Sequence, residues 1–127
     1  MEKIRYGMVG GHMQAFIGDV HRKALNFDHR VQLCAGCFST REALNRETAA
    51  VYGLDSDRVY ADYRQMAAAE AKREDKIDFV SIVTPNHTHY EIAMAFLDAG
   101  IHVMCEKPLC MSTEEACALK AKAEERA

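Results

Sequence analysis

The sequence predicts an α/β fold: a single domain with a Rossmann-like, doubly wound parallel sheet in a three-layer α/β/α arrangement. Short apolar strand patterns alternate with longer helical patterns along the whole chain, and this alternation is typical of parallel strands joined by crossover helices. No segment of the sequence resembles the tight turn of a β-hairpin. The 127 residues match the size of one domain with its own hydrophobic core.

The composition excludes several classes of protein. Hydrophobic residues make up 49% of the chain and the formal net charge is −3, which indicates a compact globule without the basic surface of a nucleic-acid-binding protein. No apolar run approaches the roughly 18 residues of a membrane-spanning helix. The N-terminus, with an acid at Glu2, does not resemble a secretory signal. We therefore expect a cytoplasmic protein that binds neither nucleic acid nor membrane.

The cysteines are expected to be reduced thiols. There are 5 of them, an odd number, and most lie on predicted strands or helices, which does not favour a disulfide framework. Cys34 and Cys37 form a C-x-x-C pair, but a redox pair needs a helix N-terminus to lower its thiol pKa, and this pair falls inside a predicted strand. No second C-x-x-C pair offers the other ligands of a zinc site.

The first half of the chain is predicted to form two β-α units. An apolar strand pattern ends at Gly10 and Gly11, and the helix after it carries apolar residues near helical spacing. Gly53 is expected to end the second helix in the left-handed conformation. The predicted elements are a strand at 4–9, a helix at 15–27 with Phe16, Ile17, Val20, Ala24 and Phe27 as its apolar positions, a strand at 31–38 and a helix at 42–52.

The second half continues the alternation. The pair Val59-Tyr60 is a candidate for a short third strand, and Asp62 is placed to cap a helix that runs to about residue 74. Residues 79–83 form a continuous β-branched run, as expected of a strand buried on both faces. The remaining elements are a helix at 89–97 closed by Gly100, a strand at 101–105, and a last helix with a capping box at Ser112 and Glu115.

We expect the strand order 3-2-1-4-5 of dinucleotide-binding sheets. In that order the strand ending at Gly10 lies beside the strand ending at Val83, and the strand ending at Cys105 lies one position further out. Ligands of such sheets bind at the carboxyl ends of the strands. A ligand there would meet three segments together, namely Gly10-Gly11, Thr84-Pro85-Asn86 and Glu106-Lys107.

The turn after the first strand resembles the dinucleotide-binding fingerprint G-x-G-x-x-G/A. Gly10 fills the first position and Ala15 the sixth, whereas His12 replaces the middle glycine that lets the backbone approach a pyrophosphate. Backbone N–H groups and the helix dipole remain available to a phosphate. His12 could crowd the pyrophosphate or donate a hydrogen bond to it, and the alternative is a structural turn that binds nothing. The six candidate residues are Gly10, Gly11, His12, Met13, Gln14 and Ala15.

The end of the second strand favours NADP over NAD. NAD-specific turns usually carry an acid there that binds the ribose hydroxyls, but the expected position holds Cys37 or Phe38. Ser39, Thr40 and Arg41 follow, and two hydroxyls with a guanidinium suit a 2′-phosphate. Alternatively, Ser39 and Thr40 only cap the next helix and Arg41 is solvated.

The tripeptide Glu106-Lys107-Pro108 ends the last strand pattern and holds a lysine in place. Hydride transfer from an alcohol carbon needs a group that takes or steadies the hydroxyl proton, and a partly desolvated lysine can do this because its pKa falls. Glu106 can orient Lys107 or touch the cofactor, and Pro108 prevents the strand from continuing its ladder. The alternative is a surface Glu-Lys pair at a turn.

Five segments together carry a pattern more specific than any single motif: residues 7–11, 15–18, 83–86 with His89, 99–103, and 106–108. In this order and at these separations they resemble the N-terminal domain of the Gfo/Idh/MocA oxidoreductase family, which includes glucose-fructose oxidoreductase and inositol dehydrogenase. The resemblance covers essentially the whole chain, and its specific part is Glu-Lys-Pro with the upstream T-P-N-x-x-H. His12 departs from the family's pattern.

The resemblance implies a role for each candidate residue. Lys107 would be the catalytic residue, and Glu106 would touch the cofactor, which would be NADP or NAD. The substrate would be a sugar, a polyol or a related compound. The other cofactor-binding residues would be residues 10–15 at the pyrophosphate, Phe38, Ser39, Thr40 and Arg41 at the adenine ribose, and Thr84, Pro85, Asn86 and His89 towards the nicotinamide.

The family also carries a second α/β domain, which supplies the substrate pocket and usually the oligomer contact. No segment of residues 1–127 corresponds to it, so we expect an NAD(P)-binding domain alone, with the substrate domain absent and catalysis incomplete. Two alternatives remain open: a stand-alone nucleotide-binding or sensor module, and a degenerate scaffold that acts through an exposed outer strand. A homo-oligomer also remains open.

Two histidines at the start of the fourth helix, His87 and His89, raise the question of a metal site. No third ligand is evident, since His21 and His102 are only loose candidates, and we expect no metal. His89 is then either a residue on the cofactor side or a plain helix residue.

Overall fold

The computed structural model describes residues 2–127 and contains four strands and five α-helices in that range. Among these helices, none is long and apolar enough to cross a membrane. Two short 3-10 turns occupy Ser56–Arg58 and Asn86–Thr88. The elements in chain order are β1 (Ile4–Gly10), α1 (Phe16–Asn26), β2 (Val31–Cys37), α2 (Glu42–Val51), α3 (Tyr63–Ala71), β3 (Phe79–Val83), α4 (His89–Asp98), β4 (His102–Cys105) and α5 (Thr113–Glu125).

The sheet is parallel throughout and has the order β2-β1-β3-β4. Gly10 at the end of β1 pairs with Val83 at the end of β3, and Ile82 pairs with Cys105 at the end of β4. The predicted neighbours and the outer position of the last strand are therefore confirmed. This register brings the carboxyl ends of β1, β3 and β4 to one level, where the sequence predicts the ligand.

The third strand predicted at Val59-Tyr60 is wrong except for one bridge between Gly36 and Val59. The buried Asn45 side chain takes the place of a ladder there: its Oδ1 accepts from the Phe38 N–H at 2.7 Å and its Nδ2 donates to the Tyr60 carbonyl at 2.8 Å. A 3-10 turn ends at residue 58 and α3 begins at residue 63, which leaves little chain for a strand. The sheet consequently ends at β2.

Helices cover both faces of the sheet, which confirms the three-layer arrangement. The larger apolar cluster lies under α3, α4 and α5, and the smaller one lies against α1 and α2. Fully buried side chains of the larger cluster include Met66, Ile82 and Phe96, and those of the smaller cluster include Tyr6, Met8 and Phe38.

The first helix differs from its predicted apolar stripe. Phe16 and Phe27 are 81% and 88% exposed, and Val20 is also exposed. Instead, α1 buries Gly18 and packs Ile17 and Leu25 against the smaller cluster. Helical spacing predicted the helix correctly, but the face of α1 that packs on the sheet is the one that carries Gly18.

The predicted caps are largely confirmed. The Asp62 carboxylate accepts from the Arg64 N–H at 2.6 Å, although α3 stops at Ala71, three residues before the predicted end. Ser112 accepts from the Glu115 N–H at 3.2 Å, but the Glu115 carboxylate accepts from the Met111 N–H, one residue before the position in a standard capping box. Gly53 and Gly100 follow their helices with positive φ, as predicted.

A buried ion pair joins α3 to the chain on both sides of it. Glu70 is 0% exposed, and its carboxylate takes two hydrogen bonds from Arg58, at 2.6 and 3.1 Å. The Tyr60 hydroxyl donates to the same carboxylate at 2.8 Å, and the Ile77 N–H donates at 3.3 Å. Because every lone pair has a donor, this charge is tolerated inside the fold.

Glu70→Ala is expected to lower the free energy of unfolding by about 3–5 kcal/mol, because it removes the fully buried partner of the Arg58 guanidinium and leaves the 3.4 Å contact with the exposed Asp75 carboxylate as its remaining ion pair. Urea denaturation followed by circular dichroism measures this loss. The matched control Glu47→Ala, at an exposed site on α2, should change stability by less than about 0.5 kcal/mol. Replacing both partners, Arg58→Met with Glu70→Leu, should recover part of the loss, because it removes the Arg58 charge but still leaves the Tyr60 hydroxyl and the Ile77 N–H without their acceptor. A cost below about 1 kcal/mol for Glu70→Ala would contradict this account.

Candidate functional site

A cavity of about 710 Å³ opens at the carboxyl ends of β1, β2 and β3. Its wall combines the turn after β1, the segment after β2, the start of α3 and the segment after β3. The predicted site residues that line it are Gly10, Gly11, His12, Ala15, Phe38, Ser39, Thr40, Thr84 and Pro85. Lining residues that sequence reasoning missed include Ala61, Asp62, Tyr63, Thr88, Glu91 and Ile92.

The turn after β1 depends on two glycines in the left-handed conformation. Gly10 has φ +82° and Gly11 has φ +73°, a region that side chains with a Cβ rarely adopt. A Cβ on Gly10 would lie 2.9 Å from the Thr84 methyl carbon, and one on Gly11 would lie 2.6 Å from the Met8 sulfur. The Ala15 N–H donates to the His12 carbonyl at 2.8 Å and closes the turn. The backbone is thereby held open to the cavity at the N-terminal end of α1.

Gly18 lets α1 approach this turn. A Cβ there would lie only 2.5 Å from the Gly11 Cα, a backbone atom that cannot move aside. In the fingerprint this close approach of helix and strand belongs to the sixth position, here Ala15. In this structure the close approach falls at Gly18, three residues later. The sequence marked Gly18 as a glycine inside a helical pattern and as part of segment 15–18 of the family resemblance.

Side chains of α2 support the turn from the other side. The Thr48 hydroxyl accepts from the Met13 N–H at 3.1 Å, and the Tyr52 hydroxyl donates to the Gly11 carbonyl at 3.2 Å. The Met13 N–H, one of the donors expected for the pyrophosphate, is thus already used. The Gln14 N–H lies 3.3 Å from His12 Nδ1, which accepts. In the neutral ring the proton of His12 then resides on Nε2, which is the nitrogen left to donate to a ligand.

The segment after β2 is only partly committed to local bonds. The Ser39 hydroxyl accepts from the Arg41 N–H at 3.1 Å and forms a turn just before α2. The N-cap of α2 is Arg41, without a side-chain cap hydrogen bond, so the capping role considered as the alternative for Ser39 and Thr40 is wrong. Phe38 is buried, whereas Thr40 and Arg41 are exposed. Of the ion pairs formed within residues 2–127, none includes Arg41. Arg41 does not line the cavity itself, but it directly follows Thr40, which does.

The lysine segment continues β4 beyond the ladder. The Glu106 N–H donates to the Ile82 carbonyl at 2.9 Å, which places Glu106 level with Val83 and Gly10. Lys107 is exposed, and its N–H donates to Glu106 Oε1 at 3.0 Å. That bond, followed by the contact with His21, lowers the pKa of the Glu106 carboxyl below its ordinary value. Neither Glu106 nor Lys107 belongs to the cavity wall itself.

Glu106 is turned towards α1. Its Oε2 lies 2.9 Å from His21 Nε2, and His21 Nδ1 lies 2.9 Å from the Ser81 hydroxyl. His21 was considered only as a loose metal candidate, and Ser81 was missed. The sequence offered one signal for Ser81, a polar residue inside the apolar run of β3.

His89 lies beneath the site and not on its surface. It is 0% exposed, with Nδ1 2.6 Å from the Pro108 carbonyl and Nε2 2.9 Å from the Thr84 carbonyl. Its ring thereby joins the segment after β3 to the lysine segment. Asn86, the neighbouring candidate, is exposed in a 3-10 turn and does not line the cavity.

Thiol and metal chemistry find little support in this part of the molecule. Burial raises the pKa of both Cys37 and Cys105 to about 11, which disfavours the reactive thiolate. Within residues 2–127, no cluster of three or more His, Cys, Asp or Glu side chains could hold a metal ion.

The arrangement fits a dinucleotide. A left-handed glycine turn at a helix N-terminus suits a pyrophosphate, and the absence of a Cβ at Gly10 and Gly11 leaves the backbone accessible. The cavity is large enough for a ligand that passes from the end of β2 to the end of β3. Outside this wall, Glu106 is level with Val83 across the sheet, and Lys107 follows it at the same edge.

Gly18→Ala is expected to weaken binding of NADH by roughly tenfold, because overpacking of this size against the Gly11 backbone displaces the turn. A fluorescence titration of NADH into the 127-residue chain measures the change. Lys23→Ala, an exposed substitution on the same helix, is the control and should leave binding unchanged. Equal dissociation constants for Gly18→Ala and the unmodified chain would rule out the role assigned to Gly18.

Known proteins share this pattern over most of the chain. The family described as "Oxidoreductase family, NAD-binding Rossmann fold" (GFO_IDH_MocA) matches residues 4–127. The protein named "Uncharacterized oxidoreductase YfiI" from Bacillus subtilis (strain 168) is 44% identical over 124 residues, which cover 97% of this chain and 32% of that protein. This chain therefore spans about a third of that relative's length.

Solved structures agree with the sequence comparison. An inositol dehydrogenase homologue from Azotobacter vinelandii complexed with NAD+ superposes with a TM-score of 0.95 at 44% identity, covering 98% of this chain and 32% of that one. An inositol dehydrogenase homologue from the same organism complexed with NADH and myo-inositol gives a TM-score of 0.95 at 44% identity and covers 98% of this chain and 33% of that one. The chain belongs to the Gfo/Idh/MocA oxidoreductase family and forms its NAD-binding Rossmann fold.

Proposed function

We propose that residues 1–127 are the nicotinamide-dinucleotide-binding domain of an enzyme that transfers hydride between the nicotinamide and a sugar, a polyol or a related hydroxy compound. The observation that carries this proposal is the common level of Gly10, Val83 and Glu106 across the sheet. It lets a single extended ligand run from the glycine turn to the lysine segment. When bound, the nicotinamide accepts or donates the hydride.

The substrate class is proposed from the relatives. An inositol dehydrogenase homologue of the same fold was solved with NADH and myo-inositol, and a Rhizobium meliloti relative named inositol 2-dehydrogenase is 34% identical over 114 residues. Because this chain covers only about a third of these proteins, we propose that a separate substrate domain completes the pocket. Residues 1–127 would then bind the cofactor but lack groups needed to choose and orient the substrate.

Lys107 is the residue we propose for the proton of the reacting hydroxyl. It follows β4 directly, its backbone is held by Glu106, and its side chain is exposed on the edge where the cavity opens. A lysine ammonium there can steady the hydroxyl, and when partly desolvated by substrate it can accept the proton. In this proposal Gly10 and Gly11 hold the pyrophosphate, and Thr84 and Pro85 line the nicotinamide end.

We further propose a preference for NADP(H) over NAD(H). The support is chemical: Ser39, Thr40 and Arg41 follow β2 without an acid, and the exposed Arg41 comes directly after Thr40, which lines the cavity. A guanidinium suits a 2′-phosphate, which carries the charge that a ribose hydroxyl lacks.

Titrating NADPH, and separately NADH, into the 127-residue chain tests dinucleotide binding. Saturable quenching or enhancement of the nicotinamide fluorescence is expected for both, with the tighter constant for NADPH. Circular dichroism confirms that the chain is folded. A folded chain that binds neither compound would contradict the proposal and would favour a scaffold that binds nothing.

Arg41→Ala should weaken NADPH roughly tenfold or more while changing NADH little, because only the 2′-phosphate loses a charge-assisted hydrogen bond. The same titration measures both constants. Arg30→Ala, an exposed arginine before β2 at the opposite edge of the sheet, serves as the control for lost surface charge. Equal losses for the two cofactors, or none, would remove the assigned preference.

Lys107→Met is expected to lower kcat by about 10²–10⁴-fold in the enzyme that carries this domain, with myo-inositol as the substrate. The dissociation constant of NADPH should change little, since the lysine acts on the hydroxyl and not on the dinucleotide. Lys76→Met, at an exposed site remote from the cavity wall, is the matched control. Undiminished turnover by Lys107→Met would show that another group handles the proton.

A further inference from the structure

Three elements that are distant in sequence meet behind the lysine segment. His21 on α1 contacts Ser81 in the middle of β3 and Glu106 at the end of β4, each at 2.9 Å. Ser81 is fully buried, and the His21 and Glu106 side chains are 17% and 24% exposed. The three form a continuous chain of hydrogen bonds that ends at the Lys107 N–H, 3.0 Å from Glu106 Oε1.

We propose that His21 is a positioning residue for Lys107: it holds the Glu106 carboxylate so that this carboxylate in turn holds the Lys107 backbone. The catalytic consequence rests on the function proposed above for Lys107. The positioning itself does not, because it concerns only bonds within this chain.

The donor and acceptor properties of the three side chains allow each hydrogen bond between them. A carboxylate only accepts, so His21 Nε2 must carry a proton towards Glu106. A serine hydroxyl can donate or accept, so Ser81 satisfies His21 Nδ1 whether or not that nitrogen is protonated. This accounts for a serine among the apolar residues of β3, where a buried hydroxyl without a partner would be costly.

The bonds hold Glu106 at three points. Its backbone N–H is taken by the Ile82 carbonyl of β3, and its two carboxylate oxygens are taken by His21 and by the Lys107 N–H. Beyond the lysine, the Pro108 carbonyl is bonded to the buried His89. Lys107 is therefore exposed between two anchored neighbours, and α1 supplies one of the anchors.

Amide hydrogen exchange of Lys107 tests the positioning without any cofactor. In His21→Leu the carboxylate loses its imidazole partner, and we expect the Lys107 N–H to exchange roughly tenfold faster. His21→Gln places an amide nitrogen near the position of Nε2 and should restore most of the protection. His21→Asn places its nitrogen near Nδ1, towards Ser81, and should not restore it.

The control is Lys23→Leu, which makes a similar substitution on α1 at an exposed site and should leave Lys107 exchange unchanged. Protection of the Val80 and Ile82 amides in β3 reports on the sheet and should stay constant in every variant. Unchanged Lys107 exchange in His21→Leu would overturn the proposal. So would an equal loss in the glutamine and leucine variants, or a parallel loss in β3, since each would indicate that His21 only stabilises the fold.

A kinetic experiment tests the consequence for catalysis. In the enzyme that carries this domain, His21→Leu should lower kcat with myo-inositol by roughly tenfold to a hundredfold, since a small displacement of a reacting group has effects of that size. The dissociation constant of NADPH should change less than about twofold. A kcat of His21→Leu equal to that of the unmodified enzyme would contradict the proposed effect of His21 on catalysis. If the unmodified enzyme oxidises no sugar or polyol, myo-inositol included, the proposed function fails, and the exchange data still decide the positioning.

Discussion

The parallel ladder that β3 forms with β1 on one side and β4 on the other is the interaction on which the site depends. It sets Gly10 opposite Val83 and carries β4 to the same level, so that the glycine turn and the lysine segment emerge together. A shift of one residue would turn side chains to the opposite face of the sheet and separate these segments. The buried run of β3, packed on both faces, opposes such a shift.

Buried polar side chains then hold the segments that the ladder has assembled. On α2, Asn45 bonds the chain after β2, and Thr48 bonds the glycine turn. His89 joins the segment after β3 to Pro108. A buried polar group is tolerated only with partners, so each of these side chains opposes any other arrangement of its loop. These bonds attach the loops of the site to the helices packed on the sheet.

Much of the fold followed from local patterns. The alternation of elements, the glycine turn and the caps at Asp62 and Ser112 are short-range features, and they are confirmed. The third strand failed because Asn45, on another element, takes the hydrogen bonds that a ladder would have made. The predicted apolar face of α1 was also wrong. The helix packs Gly18 against Gly11, and Phe16 and Phe27 are exposed to solvent.

The sequence by itself determined the class of fold, the ends of most elements and the two motifs at the carboxyl edge, because each depends on residues within a few positions of one another. Only the tertiary structure decided which side chains support those motifs. The contact of His21 with Glu106 spans 85 residues, and that of Met13 with Thr48 spans 35. No local pattern encodes such pairs, since the partner of a buried polar group is set by how helices pack on the sheet.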